Sequence, residues 1–212
     1  DSNRLSEQQP WHHGFGGWED NQITYQPFPH FNGQSWQFSD EFPHPDFGYL
    51  RLTAEGGHTG ASNTLSPIRR WTAPLSGTFN ISGTLEHPSD QGDGVTAQLA
   101  VSGRGILHQW AAHNTSTETL ASEVQLAQGE NLYFIVHFNQ NTGWDSFNWN
   151  PTIDLLDSEA EPKWAGATSW HSKTEFTAAS NEQKNAVNRK PLDVWTQLAQ
   201  TLLLSNEFAF ID

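Results

Sequence analysis

Across the first three quarters of the chain, apolar positions recur every second residue, in short runs separated by Gly, Pro, Asn and Asp clusters. Residues 78–85 alternate most clearly, which predicts a strand burying Phe79, Ile81 and Leu85 on one face. Residues 95–101 repeat the pattern with Val95, Ala97, Leu99 and Val101, and the tight Gly103-Arg104-Gly105 turn predicts residues 106–111 as the pairing partner. Residues 119–126 and 132–138 flank a Gln128-Gly129-Glu130-Asn131 turn and predict a hairpin. Tyr49-Leu50-Arg51-Leu52-Thr53 is a further strand, and Ile68-Arg69-Arg70-Trp71-Thr72 is another that stops at Ala73-Pro74. Residues 23–29 alternate weakly, and Ile153-Asp154-Leu155 closes the set. The expectation is an all-β unit over residues 1–156, of about nine to eleven strands, folded as a jelly-roll-like antiparallel β-sandwich.

From residue 157 to residue 190 the pattern dissolves, with Trp164 and Trp170 isolated in polar sequence. That composition predicts an extended strap anchored by the two indoles. Residues 191–212 change period. Pro191 and Asp193 suit a first helical turn, and Leu192, Trp195, Leu198, Ala199, Leu202 and Leu203 share one face, which predicts a C-terminal helix followed by a Phe208-Ala209-Phe210 tail.

Charge removes several function classes. The net charge of −14, from 10 Lys and Arg against 24 Asp and Glu, is the wrong sign for nucleic acid or an anionic membrane surface. No run approaches the ~18 consecutive apolar residues that span a bilayer, so membrane insertion is not expected. The chain has no Cys, which excludes disulfides, thiolate metal sites, a thiol nucleophile and covalent c-type haem within it. Met is absent, position 1 included, which suggests a processed or excised segment. Ten Trp and 13 Phe suit either a β core or platforms that stack on sugar rings.

The candidate chemistry follows from those aromatics. Trp36, Trp110, Trp144 and Trp149 fall at strand ends or loops, where an indole can stack on a pyranose face, although packing is the competing role for each. Asn139, Gln140, Asn141, Trp144 and Asp145 form one loop with the donors and acceptors a sugar needs, and His58 lies in a Gly-rich turn that a ligand can approach closely. Asp90 and Asp93, with Asp145, are hard-oxygen groups in loops that could hold a structural Ca²⁺, with Asx-turn capping as the alternative. The run Asp90-Gln91-Gly92-Asp93-Gly94 lacks the full pattern of a calcium-binding helix–loop–helix. His12 and His13 are adjacent, so a strand sends them to opposite faces, and His108 and His113 lack a close third ligand. Arg69 and Arg70 likewise take opposite faces, and one is expected to pair with a carboxylate such as Glu55 or Asp93. No nucleophile elbow, phosphate loop or dinucleotide fingerprint occurs, and no catalytic residue is assigned.

Three segments and the terminus carry a family resemblance. They are Trp11-His12-His13-Gly14-Phe15-Gly16-Gly17 with Phe28-Pro29-His30-Phe31-Asn32-Gly33 and Trp36; Glu55-Gly56-Gly57-His58-Thr59-Gly60 with Ile68-Arg69-Arg70-Trp71-Thr72-Ala73-Pro74; and Gly92-Asp93-Gly94-Val95 with Asp145-Ser146-Phe147-Asn148-Trp149 and Pro151-Thr152-Ile153. With Leu202-Leu203-Leu204-Ser205-Asn206-Glu207-Phe208 they resemble the β domain and C-terminus of planctomycete-type, cytochrome-associated secreted bacterial proteins, Thr59 standing where that pattern has Pro. The resemblance implies export to the periplasm or cell surface, neighbouring haem-bearing domains in the parent protein, and a sandwich like those that bind carbohydrate. The leading expectation is therefore a non-catalytic accessory module binding polysaccharide or oligosaccharide, with no cofactor beyond a structural Ca²⁺. The alternative is a domain that docks other parts of the parent protein and positions its redox or catalytic region. A polysaccharide hydrolase is the third.

Overall fold

The computed structural model describes residues 9–158 and 166–176. In chain order the strands are β1 (Trp11–Glu19), β2 (Gln22–Pro27), β3 (His30–Phe31), β4 (Ser35–Gln37), β5 (Arg51–Thr53), β6 (Gly56–His58), β7 (Ser66–Thr72), β8 (Gly77–His87), β9 (Val95–Val101), β10 (Gly105–Ala112), β11 (Thr115–Leu126), β12 (Asn131–Phe138), β13 (Ser146–Trp149), β14 (Thr152–Ser158) and β15 (Ser169–His171). They form two antiparallel sheets. One runs β10-β9-β12-β7-β1-β2. The other runs β15-β14-β8-β13-β6-β5-β4-β3, with β11 on the free side of β8. The fold is an all-β sandwich.

Period-two burial is realised as expected in β8, where Phe79 and Leu85 are fully buried and Ile81 nearly so. β9 and β10 pair across the Gly103-Arg104-Gly105 turn with a bulge between Ile106 and His108. The expected hairpin of residues 119–126 with 132–138 does not form. β11 pairs with β8, whereas β12 lies between β7 and β9, so the turn between them carries the chain from one sheet to the other. The cause is visible in the side chains. Leu132 to Val136 are buried without interruption, as a central strand covered on both faces requires, while β11 alternates like an edge strand.

Between the sheets the aromatics interlock. Trp71 packs edge-on against Phe79 and Trp170, and Phe134 meets both Trp11 and Trp149. Each such ring removed from water contributes about 1.5–3 kcal/mol. A second, smaller cluster of Ile68, Ala100, Tyr133 and Ile135 lies on the outer face of the six-stranded sheet, and β2 lays Ile23 and Tyr25 over it. The close approach of β2 explains two glycines of β1, Gly14 and Gly16. A Cβ on Gly16 would meet the Thr24 carbonyl oxygen at 1.9 Å, so no side chain fits where β2 lies against it.

Of the two arginines, one of which is expected to pair with a carboxylate, Arg69 does not. Arg69 is buried, and its Nη2 donates to the carbonyls of Thr53, Ala54 and Gly56, not to a carboxylate. Its guanidinium lies 5.3 Å from the centre of the Phe176 ring, and desolvation brings its pKa down to about 9. Glu55 instead pairs with Lys173. The expected boundary at residue 156 falls inside β14, and β15 returns to pair with that strand, Ile153 opposite Trp170. Trp170 is thus a core residue. Trp164 and the expected helix over 191–212 lie outside the described residues.

Candidate functional site

Two of the four predicted tryptophans are packing residues. Trp36 is 2% exposed, stacked on the His13 ring, and Trp149 is also 2% exposed, its Nε1 donating to Thr119 Oγ1 at 3.0 Å. Neither can present a face to a ligand. Both are corrections: Trp149 falls on an inward position of β13, and β4 is buried along its whole length, Trp36 included. Trp110 is half-buried on edge strand β10, against Trp149 on one side and parallel to the His108 ring on the other.

Trp144 is different. It is 64% exposed, and it adopts φ +69° in the loop leading into β13. A bulky non-glycine residue in the left-handed region costs about 1–2 kcal/mol, so its surroundings must hold it there. They do so in two ways. His87 Nε2 donates to the Trp144 carbonyl at 2.8 Å, while His87 Nδ1 accepts from the Asn114 N–H. Gly92 brings the β8–β9 loop so close that a Cβ there would sit 2.7 Å from the Gly143 carbonyl oxygen. The backbone that carries this exposed indole is therefore held in place.

Strand register sets His58 beside this loop. His58 is paired with Ser146 of β13 on one side and with Arg51 of β5 on the other. Its Nδ1–H donates to the Thr59 carbonyl at 2.8 Å, and burial, with a smaller push from Arg51, holds its pKa below the usual imidazole range. A neutral ring with a hydrogen on Nδ1 presents Nε2 as an acceptor. Tyr49, 54% exposed, lies 5.4 Å from that ring, and Phe42 supports Tyr49 edge-on while Arg51 covers Phe42 at 4.4 Å. Tyr49 and its Phe42–Arg51 support were missed in the sequence, where alternation marked Tyr49 only as part of a strand.

The remaining predicted residues gather on the same loops. Asn141 is exposed; its N–H and that of Gln140 both donate to Asp93 Oδ2, and its Oδ1 accepts from Gly143. Asp145 is fully buried, accepts from Thr59 Oγ1 at 3.2 Å, and has its pKa raised to about 6 by burial, with the charge of Asp93 adding to the shift. Asp90 is exposed and bonded to its neighbour Gln91. Among the described residues no group of three or more His, Asp and Glu side chains converges as a metal site.

No family model matches this sequence, and no curated protein does. Solved structures that it partly resembles are carbohydrate-binding modules and related domains. The C-terminal CBM6 of LamC, a marine laminarinase from Zobellia galactanivorans, shares 15% identity over 42% of this chain and 72% of its own, at a TM-score of 0.27. A PA14 sugar-binding domain from an RTX adhesin shares 10% identity, covering 54% of this chain and 58% of its own, at 0.31. A family 35 carbohydrate-binding module from Clostridium thermocellum shares 16% over 42% of this chain and 69% of its own, at 0.27.

Proposed function

We propose that this chain is a non-catalytic glycan-binding module whose site is built on the loop end around Trp144. The observation that carries the reading is that an indole 64% exposed is held in a strained backbone conformation by His87 and the close approach of Gly92. An exposed apolar ring gains nothing from such restraint unless something is laid upon it. Stacking of a sugar face on Trp144 supplies the apolar part of binding. Tyr49, the acceptor Nε2 of His58 and the side chain of Asn141 supply further ring and hydrogen-bonding contact for hydroxyls. The ligand is a polysaccharide or oligosaccharide.

Beyond the module, the sequence motifs support a secreted bacterial parent, cytochrome-associated, with the chain acting in the periplasm or at the cell surface. The helix and tail expected over 191–212, which would serve the docking alternative, lie outside the described residues, and no observation on the sandwich favours that reading over a glycan.

Affinity electrophoresis in gels cast with a panel of plant and marine polysaccharides tests the proposal. One glycan class should retard the protein, and Trp144→Ala should weaken that retardation by at least tenfold, or about 1.4 kcal/mol. Trp149→Ala is unsuitable as a control because it opens the core; Leu156→Ala, at another exposed apolar residue, should leave binding intact. No retardation by any glycan, or retardation indifferent to Trp144→Ala, would overturn the reading.

A further inference from the structure

The loop end contains a second, unfinished arrangement that sugar stacking does not use. Asp145 is 0% exposed, yet only one of its oxygens is engaged: Oδ2 accepts from Thr59, and Oδ1 is buried with no partner. Asp93 repeats the pattern. Its Oδ2 takes two backbone N–H groups, from Gln140 and Asn141, and its Oδ1 is likewise buried and unpartnered. The two carboxylates stand on loops held against each other: Asp93 takes the Gln140 and Asn141 N–H groups, and a Cβ on its neighbour Gly92 would sit 3.2 Å from the Cβ of Trp144, the residue before Asp145. Leaving a buried carboxylate oxygen unpaired is costly, and placing two like charges together compounds the cost. An arrangement of this kind is stable when a cation lies between the oxygens.

We infer that Asp93 and Asp145 hold a Ca²⁺ ion through their Oδ1 atoms. The donor chemistry selects the metal class. Both donors are hard oxygens without nitrogen or sulfur companions, which does not suit zinc, whereas Ca²⁺ accepts carboxylates at 2.3–2.6 Å and fills its remaining positions with backbone carbonyls and water. An alternative use of the same pair, as the acid and base of a hydrolase, fails on access, because a fully buried Asp145 cannot reach a glycosidic oxygen. The ion joins the β8–β9 loop, which carries Asp93, to the entry of β13, which carries Asp145, and so to the segment that presents Trp144. Asp90 is not a ligand in this arrangement. The inference does not depend on glycan binding: a cation can tie these loops whatever Trp144 meets.

Terbium luminescence tests it directly, since Tb³⁺ enters calcium sites and is sensitised by nearby indoles such as Trp144. The metal-free protein should give saturable Tb³⁺ emission that Ca²⁺ displaces. Asp145→Asn and Asp93→Asn should each weaken binding at least tenfold, and Asp90→Asn should leave it unchanged. Independently of any variant, millimolar Ca²⁺ should raise the melting temperature of the unmodified protein over its value in EDTA by about 5 °C. Circular dichroism of each variant confirms its fold; should Asp145→Asn fail to fold, Asp93→Asn and the calcium-dependent melting decide. Absent or non-saturable emission, equal binding by Asp93→Asn, or equal melting with Ca²⁺ and EDTA would overturn the inference.

Discussion

Two polar clusters lie where this sandwich meets solvent, and they are finished differently. On the outer face of the six-stranded sheet, Gln98 Oε1 accepts from Trp18 Nε1 at 2.7 Å and from His137 Nε2 at 3.2 Å, Gln98 Nε2 donates to Gln109, and Ser66 Oγ meets His137 Nδ1 at 2.7 Å. Both imidazole nitrogens and both ends of the Gln98 amide are engaged. At the loop end, Asp93 and Asp145 each keep a buried oxygen without a partner. A completed chain of hydrogen bonds fixes the position of strands and asks for nothing more. An incomplete one, beside an exposed and strained indole, marks where the molecule meets something outside itself.

The largest effect that separates the two regions concerns tryptophans five positions apart. Trp149→Ala should destabilise the fold by about 3–5 kcal/mol through the cavity it opens, while Trp144→Ala stays within about 0.5 kcal/mol, both read from urea denaturation. A large cost at Trp144 would make the loop end part of the frame and dissolve the contrast.

Next, Gln98→Ala should cost about 1–3 kcal/mol, because it leaves the Trp18 and His137 N–H groups without their acceptor. A double-mutant cycle with Trp18→Phe should recover part of that loss. Strict additivity would show that the chain of bonds is not coupled.

The closed cluster also carries a pH signature. Burial holds the His137 pKa down to about 4, against 6.5 for a free imidazole. The folded state therefore keeps the neutral ring. Its contribution is complete above pH 6.5 and is lost as pH falls from there towards 4. The stability advantage of the native protein over His137→Gln, from denaturation curves at stepped pH, should shrink across that window. An advantage that is constant or grows on acidification would contradict the burial argument.

The smallest effect is the most diagnostic. Trp144→Gly releases the left-handed strain and should stabilise the protein by up to about 1 kcal/mol while abolishing glycan binding. Opposite signs for stability and binding are what a restrained ligand platform requires.

Much of the frame was legible in the chain itself. β8 and β9 were readable because their apolar residues alternate onto a buried face, and Gly103-Arg104-Gly105 located the turn that leads into β10. β1 was illegible because Gly14, Gly16 and Gly17 interrupt its alternation, and those glycines have meaning only once β2 is seen against Gly14 and Gly16 and the Asn63 carbonyl against Gly17. Of the site, Asn141, Trp144, Asp145 and His58 were named from composition, but Trp36 and Trp149 were named with them, because residue type carries no information about which way a strand turns its side chains.

The order of apolar and polar residues, together with charge and the absence of Cys, was enough to determine an acidic, disulfide-free chain whose described residues are all β, since period-two burial and ionisation are local properties. Only the tertiary structure decided which strands became neighbours, which indole stayed in water, and that Asp93 would bind the loop of Gln140 and Asn141. Those outcomes depend on contacts between residues far apart in the chain, and no local pattern records them.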